Sequence, residues 1–237
     1  MNSDTPYRLN FDSTTVADAR AGFIRRTYAH LAGAILAFVV LEALLFQTAL
    51  PEAMMGLLGT SRYSWLIVLL AFMGISTLAD NWARSSTSVN MQYVGLGLYV
   101  VAEAIIFVPL LYLAQYMCGG QVILSAGLIT LLLFAGLTYT VFTTKKDFTF
   151  LGGFLKISFF VVLGIIVASV LFGFNLGLIF SGAMVILASA SILYNTSNIV
   201  RVYGENQYVA AALSLFASVA LLFWYVLRIL MGVSRRS

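Results

Sequence analysis

Seven apolar stretches, spread over nearly the whole of a 237-residue chain, limit what this sequence can become more than any other feature. Hydrocarbon about 30 Å thick is crossed by a helix of roughly 17 to 25 apolar residues. Stretches of this kind are read at Thr27–Leu50, Ser64–Ala79, Met91–Tyr116, Gln121–Thr143, Phe154–Phe172, Leu176–Tyr194 and Gln207–Met231, the second being the shortest. With 61% hydrophobic and only 9% charged residues, no part of the chain reads as a water-soluble domain. The expected architecture is an all-α, seven-span membrane bundle over residues 27–231, between an N-terminal tail (1–26) and a short C-terminal tail (232–237). The first span exceeds the core of about 7 to 15 residues found in signal peptides and is expected to remain in the mature protein.

Lys and Arg set the orientation of such a bundle. With the N-terminus inside, Arg8, Arg20, Arg25, Arg26, Arg84, Lys145, Lys146, Lys156 and Arg201 fall on the inner side, against Arg62, Arg228, Arg235 and Arg236 outside. The tail is therefore expected to be cytosolic. The basic end "SRRS" runs against that count: either it is a tolerated exception, or one segment is re-entrant. The net charge of +4 reports topology rather than nucleic-acid binding, because the basic residues form no stripe among aromatics.

Several chemistries are excluded by absent residues. Cys118 is the only cysteine, which rules out an intrachain disulfide and a cysteine-based zinc site. There is no HExxH, no GxSxG, no Asp within a span and no Lys in the last span, so metallo-, serine- and aspartyl-type hydrolysis and a retinal Schiff base all lack their groups. No enzymatic activity and no cofactor are expected.

Two acids do lie within spans, Glu42 in the first and Glu103 in the third. Each is costly there unless paired, protonated or facing water. At 1.5 Å per residue they lie roughly 22 and 18 Å from the starts of their spans, so they could share one pocket and form a proton- or cation-responsive site. The bland alternative has Glu42 snorkelling to the outer interface and Glu103 bonded to a neighbouring helix. Pro109, six residues after Glu103 in "VAEAIIFVPLLY", frees a carbonyl near Ile105 and is either a gate or an ordinary membrane-helix kink. Arg228 either snorkels to the outer interface or neutralises one of the acids. His30 reads as an interfacial side chain. Small residues spaced by four, Ala29, Gly33 and Ala37 in the first span and Ala210, Ser214 and Ser218 in the last, are expected to let helices pack closely.

The loop "TTKKDFTFLGGFL" after "LLLFAGLTYTVF", the later "ILYNTSNIV", and "YVAAALSLFASVALLFWYVLRIL" together resemble the Bax inhibitor family. The likeness extends to "FIRRTYAHLAG" and "FVPLL", covering the chain from about Phe23 to Leu230. It implies a seven-helix bundle with the last helix central and the N-terminus cytosolic. It also implies one of the family's roles: pH-sensitive calcium leak, suppression of cell death under stress, or modulation of a membrane-bound protease. In the family the leak is attributed to two aspartates that share a proton. Their positions are matched here by Asn195 in "YNTSN" and by Ser218 after "LSLFA", neither of which titrates in the relevant range.

The leading expectation is thus a passive cation pathway, with Ca²⁺ as the transported ion, or a divergent relative with weakened pH gating. Glu103 and Glu42 are its remaining acidic candidates, and an Asn195–Ser218 hydrogen bond would hold it closed. The alternatives are a non-conducting adaptor that modulates a membrane protease, and a proton-coupled transporter. The expected setting is a bacterial plasma membrane. The expected partners are the bilayer and, on the adaptor reading, a membrane protein; oligomeric state is left open.

Overall fold

A computed structural model of the chain describes residues 13–61, 63–85, 88–144 and 146–234. The tail charges Asp4, Arg8 and Asp12, together with Arg62, Lys145, Arg235 and Arg236, lie outside the described residues. Among those described there are eight helices: α1 (Ser13–Leu45), α2 (Leu50–Thr60), α3 (Ser64–Ala83), α4 (Val89–Cys118), α5 (Gly120–Thr144), α6 (Leu151–Phe172), α7 (Leu178–Arg201) and α8 (Tyr208–Ser234). All but α2 are long and apolar enough to cross a membrane. The seven-span reading therefore stands, with one helix added and several ends moved.

The added helix corrects the first span, which stops at Leu45 instead of Leu50. Thr48 makes the break: its hydroxyl donates to the Leu45 carbonyl (2.7 Å) and accepts the Leu50 N–H (3.2 Å). Pro51, whose missing N–H costs nothing in a first turn, then starts α2. With 11 residues, about 16 Å, α2 cannot span hydrocarbon; it packs over α3 and α4 at one end of the bundle. The other correction concerns the sixth span, expected to end at Tyr194. The helix runs on to Arg201 and carries Asn195, Thr196, Ser197 and Asn198 buried inside it. Within the expected N-terminal tail, α1 is already helical from Ser13 and continuous with the first span.

Two helices form the centre. Most of α4 and α8 is buried, and α8 packs against α1, α3, α4, α5 and α7. The last helix is central as the family resemblance implied, but it shares that place with α4. The parallel helices α1, α4 and α8 interlock through aromatic rings: Phe38 on Phe107 (5.2 Å) and Phe216 (6.1 Å), Tyr99 on Phe216 (6.1 Å), and Phe107 on Trp224 (4.9 Å). By contrast α6 has no buried residue and packs chiefly on α7.

Small residues do not all pack where their spacing suggested. Ala29, Gly33 and Ala37 are exposed, because the face that α1 turns inward is Phe23, Thr27, Leu31, Ala34 and Phe38. A four-residue spacing defines a stripe on a helix but not which way it faces. A close helix approach lies instead between α3 and α4, where a Cβ on Gly95 would stand 2.5 Å from the Ala83 nitrogen and 2.6 Å from the Ala79 carbonyl oxygen. Gly95→Ala should therefore cost about 1–3 kcal/mol as backbones are forced apart. Gly97→Ala, where a Cβ meets open space, should not destabilise. Thermal unfolding of the two variants in one detergent measures the difference.

Candidate functional site

A seam of neutral polar side chains joins α7 to α8. Ser191 and Asn195 are one turn apart on α7, as Ser214 and Ser218 are on α8, so each pair shares a face and the pairs can meet. Asn195 Nδ2 donates to Ser218 Oγ (2.8 Å) and to the Ser214 carbonyl (3.1 Å), while Ser191 Oγ and Ser218 Oγ stand 2.8 Å apart. Interhelical bonds of this kind average about 0.6 kcal/mol in a bilayer and reach about 1.7. The seam is a weak clasp made of several contacts.

It continues to the end of the bundle where α1 begins, here called the near end. Ser214 Oγ accepts from Arg84 Nη2 (3.2 Å) and stands 3.2 Å from the Tyr203 hydroxyl, and Arg84 Nε donates to Asp80 Oδ2 (2.8 Å). The rest of the polar cluster is structural. Ser197 Oγ accepts the Phe148 N–H (3.0 Å) and donates to Asp147 Oδ1 (3.3 Å), tying α7 to the α5–α6 connection. The Thr149 N–H donates to the same carboxylate (2.8 Å) and holds it below the usual carboxylate range. Arg20 of α1 donates to the carbonyls of Ile199, Val200 and Tyr203, closing the C-terminal end of α7.

In the other direction the seam opens on a cavity of about 700 Å³ between α3, α4, α6, α7 and α8, whose polar lining includes Ser191, Glu103 and Arg228. The contacts of Tyr99 with Phe216 and of Phe107 with Trp224 put Glu103 level with Ala220, roughly 3 Å along the axis from Ser218. Glu103 is 6% exposed, and its Oε2 has no hydrogen-bond partner. A second cavity of about 650 Å³ lies toward the far end, with Pro109, Ser181 and Arg228 in its lining. The two meet at Trp65, Leu176, Trp224 and Arg228, where the tryptophan rings stack at 5.9 Å.

The structure brings together Asn195 and Ser218, with Glu103 just beyond them, but it separates the two acids. Glu42 is also buried, with both carboxyl oxygens unpartnered, yet it lines neither cavity. Phe38 packs between Phe216 and Phe107 and so lies about level with Glu103, which puts Glu42, one turn later, roughly 6 Å farther along the axis than Glu103. Pro109 is buried inside a helix that continues through it. Arg228 pairs with no carboxylate among the described residues; its Nη2 donates to the Leu176 carbonyl at 3.5 Å. His30 stacks on Tyr93, its Nε2 3.3 Å from the tyrosine hydroxyl. Among the described residues no three His, Cys, Asp or Glu side chains converge as a metal site.

Sequence reasoning missed Arg20, Asp80, Arg84, Ser191 and Tyr203. The signal available for Ser191 was its place one turn before Asn195, matching Ser214 and Ser218 on the partner helix. The spacing of Asp80 and Arg84 by four could have paired them, but no local signal marks the contact of Arg84 with Ser214, 130 residues away.

Seven spanning helices around a buried α4–α8 pair, with a polar seam along α8, define a polytopic all-α membrane protein. Its chain matches over residues 20–236 the family described as "Inhibitor of apoptosis-promoting Bax1". The protein PA2604 of Pseudomonas aeruginosa is 35% identical over 94% of both chains. The Escherichia coli protein named "Modulator of FtsH protease YccA" is 31% identical over 72% of this chain and 76% of its own. "Bax inhibitor 1" of Schizosaccharomyces pombe is 27% identical over 96% and 85%. The chain belongs to the Bax inhibitor family, and of these relatives the Escherichia coli and Schizosaccharomyces pombe proteins are named as a modulator and an inhibitor.

Because Arg20 serves three carbonyls at the end of α7, Arg20→Ala should lower stability by about 1–3 kcal/mol. Arg20→Lys, a point charge without the fork, should recover only part of it. Thermal unfolding in detergent reads both.

Proposed function

We propose that the protein is a passive cation pathway, with Ca²⁺ as the ion carried, closed by a neutral latch in place of a titrating one. The supporting observation is a buried Glu103 with a free carboxyl oxygen in a cavity that the Asn195–Ser218–Ser191 seam separates from the polar near end. A hard cation takes oxygen ligands, and Glu103 with the Ser191 hydroxyl offers a sparse set, suited to passage rather than retention. The latch itself has no group that ionises near neutral pH, so protons cannot open it there. The proposed setting is a bacterial plasma membrane with the N-terminus cytosolic, in keeping with the distribution of Lys and Arg.

Purified protein in calcium-free vesicles should pass Ca²⁺ faster than empty vesicles between about pH 5 and 8, and Glu103→Gln should slow it. Absence of flux at every pH would sink the proposal. Asn195→Asp combined with Ser218→Asp places two acids that cannot both ionise cheaply at hydrogen-bonding range. It should give the latch a pH dependence of its own, seen as a pH profile of flux that differs from the parent's; a double variant indistinguishable from the parent removes the latch from the account.

A second reading, a membrane adaptor that restrains a protease, is favoured by the relative named as a modulator of FtsH protease. Affinity purification in mild detergent from a native membrane should then recover a membrane protease in stoichiometric amount. Recovery of the chain by itself counts against it.

A further inference from the structure

We infer that the cavity between α3 and α6 is a lateral groove that holds one membrane phospholipid, its phosphate on Arg228 and an acyl chain along α6. The groove wall on α6 is formed by Leu155, Phe159, Val162, Leu163, Ile166 and Val170. These positions share one helix face and extend over 15 residues, about 22 Å. None is fully buried, since α6 packs chiefly on α7 and stands off from α3 and α4 across the cavity. At about 700 Å³ the space lies in the range of ligand sites, roughly 300–1,000 Å³. An acyl chain lying along this α6 wall would cover its half-exposed apolar face and leave the Glu103 wall of α4 to the rest of the cavity.

Arg228 identifies the other half of the occupant. Its guanidinium carries five N–H donors, of which one makes a 3.5 Å bond to the Leu176 carbonyl. Glu103 cannot compensate it: the α4–α8 register puts the two roughly 12 Å apart along the axis. Glu42 has no partner at all. The half-buried guanidinium lies beside the stacked Trp65 and Trp224, residues typical of the membrane interface, which puts it near headgroup depth. The planar fork fits the oxygens of a phosphodiester. This inference does not depend on ion passage and would survive its failure.

Native mass spectrometry of the detergent-purified chain titrated with phosphatidylglycerol tests it. One lipid should bind per chain more tightly than the rest, and Arg228→Gln should weaken that site at least about tenfold, the effect of losing a charge-assisted bond. Ile166→Trp, which fills the groove without touching Arg228, should remove the site while the protein elutes unchanged; Val162→Trp serves if that variant misfolds. Diacylglycerol with the same chains should bind no better to the parent than phosphatidylglycerol binds to Arg228→Gln. The inference is overturned if diacylglycerol binds equally well, if neither groove-filling variant reduces binding, or if millimolar inorganic phosphate displaces the lipid.

Discussion

Hydrocarbon offers no partner to a backbone N–H or C=O, and everything else in this protein follows from that constraint. Each spanning segment satisfies its own backbone as a helix, so the bundle is assembled from finished rods whose faces are the only variables. Where the chain must leave helical geometry it does so within a few residues and with local partners: Gly119 (φ 77°) between α4 and α5, Gly173 (φ 75°) after α6, and the Thr48 turn before α2. Both glycines adopt a backbone conformation that a side chain would disfavour.

With backbones satisfied, the helices are held by shape and by a few polar contacts, since lipid tails are as apolar as the side chains they compete with. The aromatic interlock of Phe38, Phe107, Phe216 and Trp224 aligns α1, α4 and α8 as one parallel core. The glycine at position 95 brings α3 against α4, and the Asn195–Ser218 seam binds α7 to α8. Between these fixed contacts α6 is left loosely attached, which is why the larger cavity opens on that side. Stability and the candidate pathway thus share residues: the seam that closes α7 on α8 also separates the near end from the Glu103 cavity.

The architecture was legible because its signal is repeated and local. Seven apolar stretches and the order of the family's motifs gave the all-α class, the span count and a central last helix. Of the candidate site, the pairing of Asn195 with Ser218 was legible through those motifs, and both helices carry their polar residues one turn apart. The shared pocket drawn for Glu42 and Glu103 was not a safe inference. Counting rises along two helices gives depth to within a turn or two but says nothing of the azimuth, and the Phe38–Phe107 contact sets Glu42 beyond Glu103. The stripe of Ala29, Gly33 and Ala37 failed for the same reason, since spacing without azimuth cannot tell a packed face from a lipid-facing one.

The cluster after Tyr194 shows the division most clearly. By itself the sequence determined that Asn195, Thr196, Ser197 and Asn198 interrupt the apolar pattern, that none of them ionises, and that such a run ends hydrocarbon-facing helix. Only the tertiary structure decided that the helix continues to Arg201. There Asn195 is met by Ser214 and Ser218 of α8, Ser197 by the Asp147–Phe148 connection, and the last carbonyls of the helix by Arg20, 180 residues from Val200 in the chain. A polar side chain inside a membrane bundle is tolerated according to the partners that surround it, and those partners exist only once distant helices have been brought together.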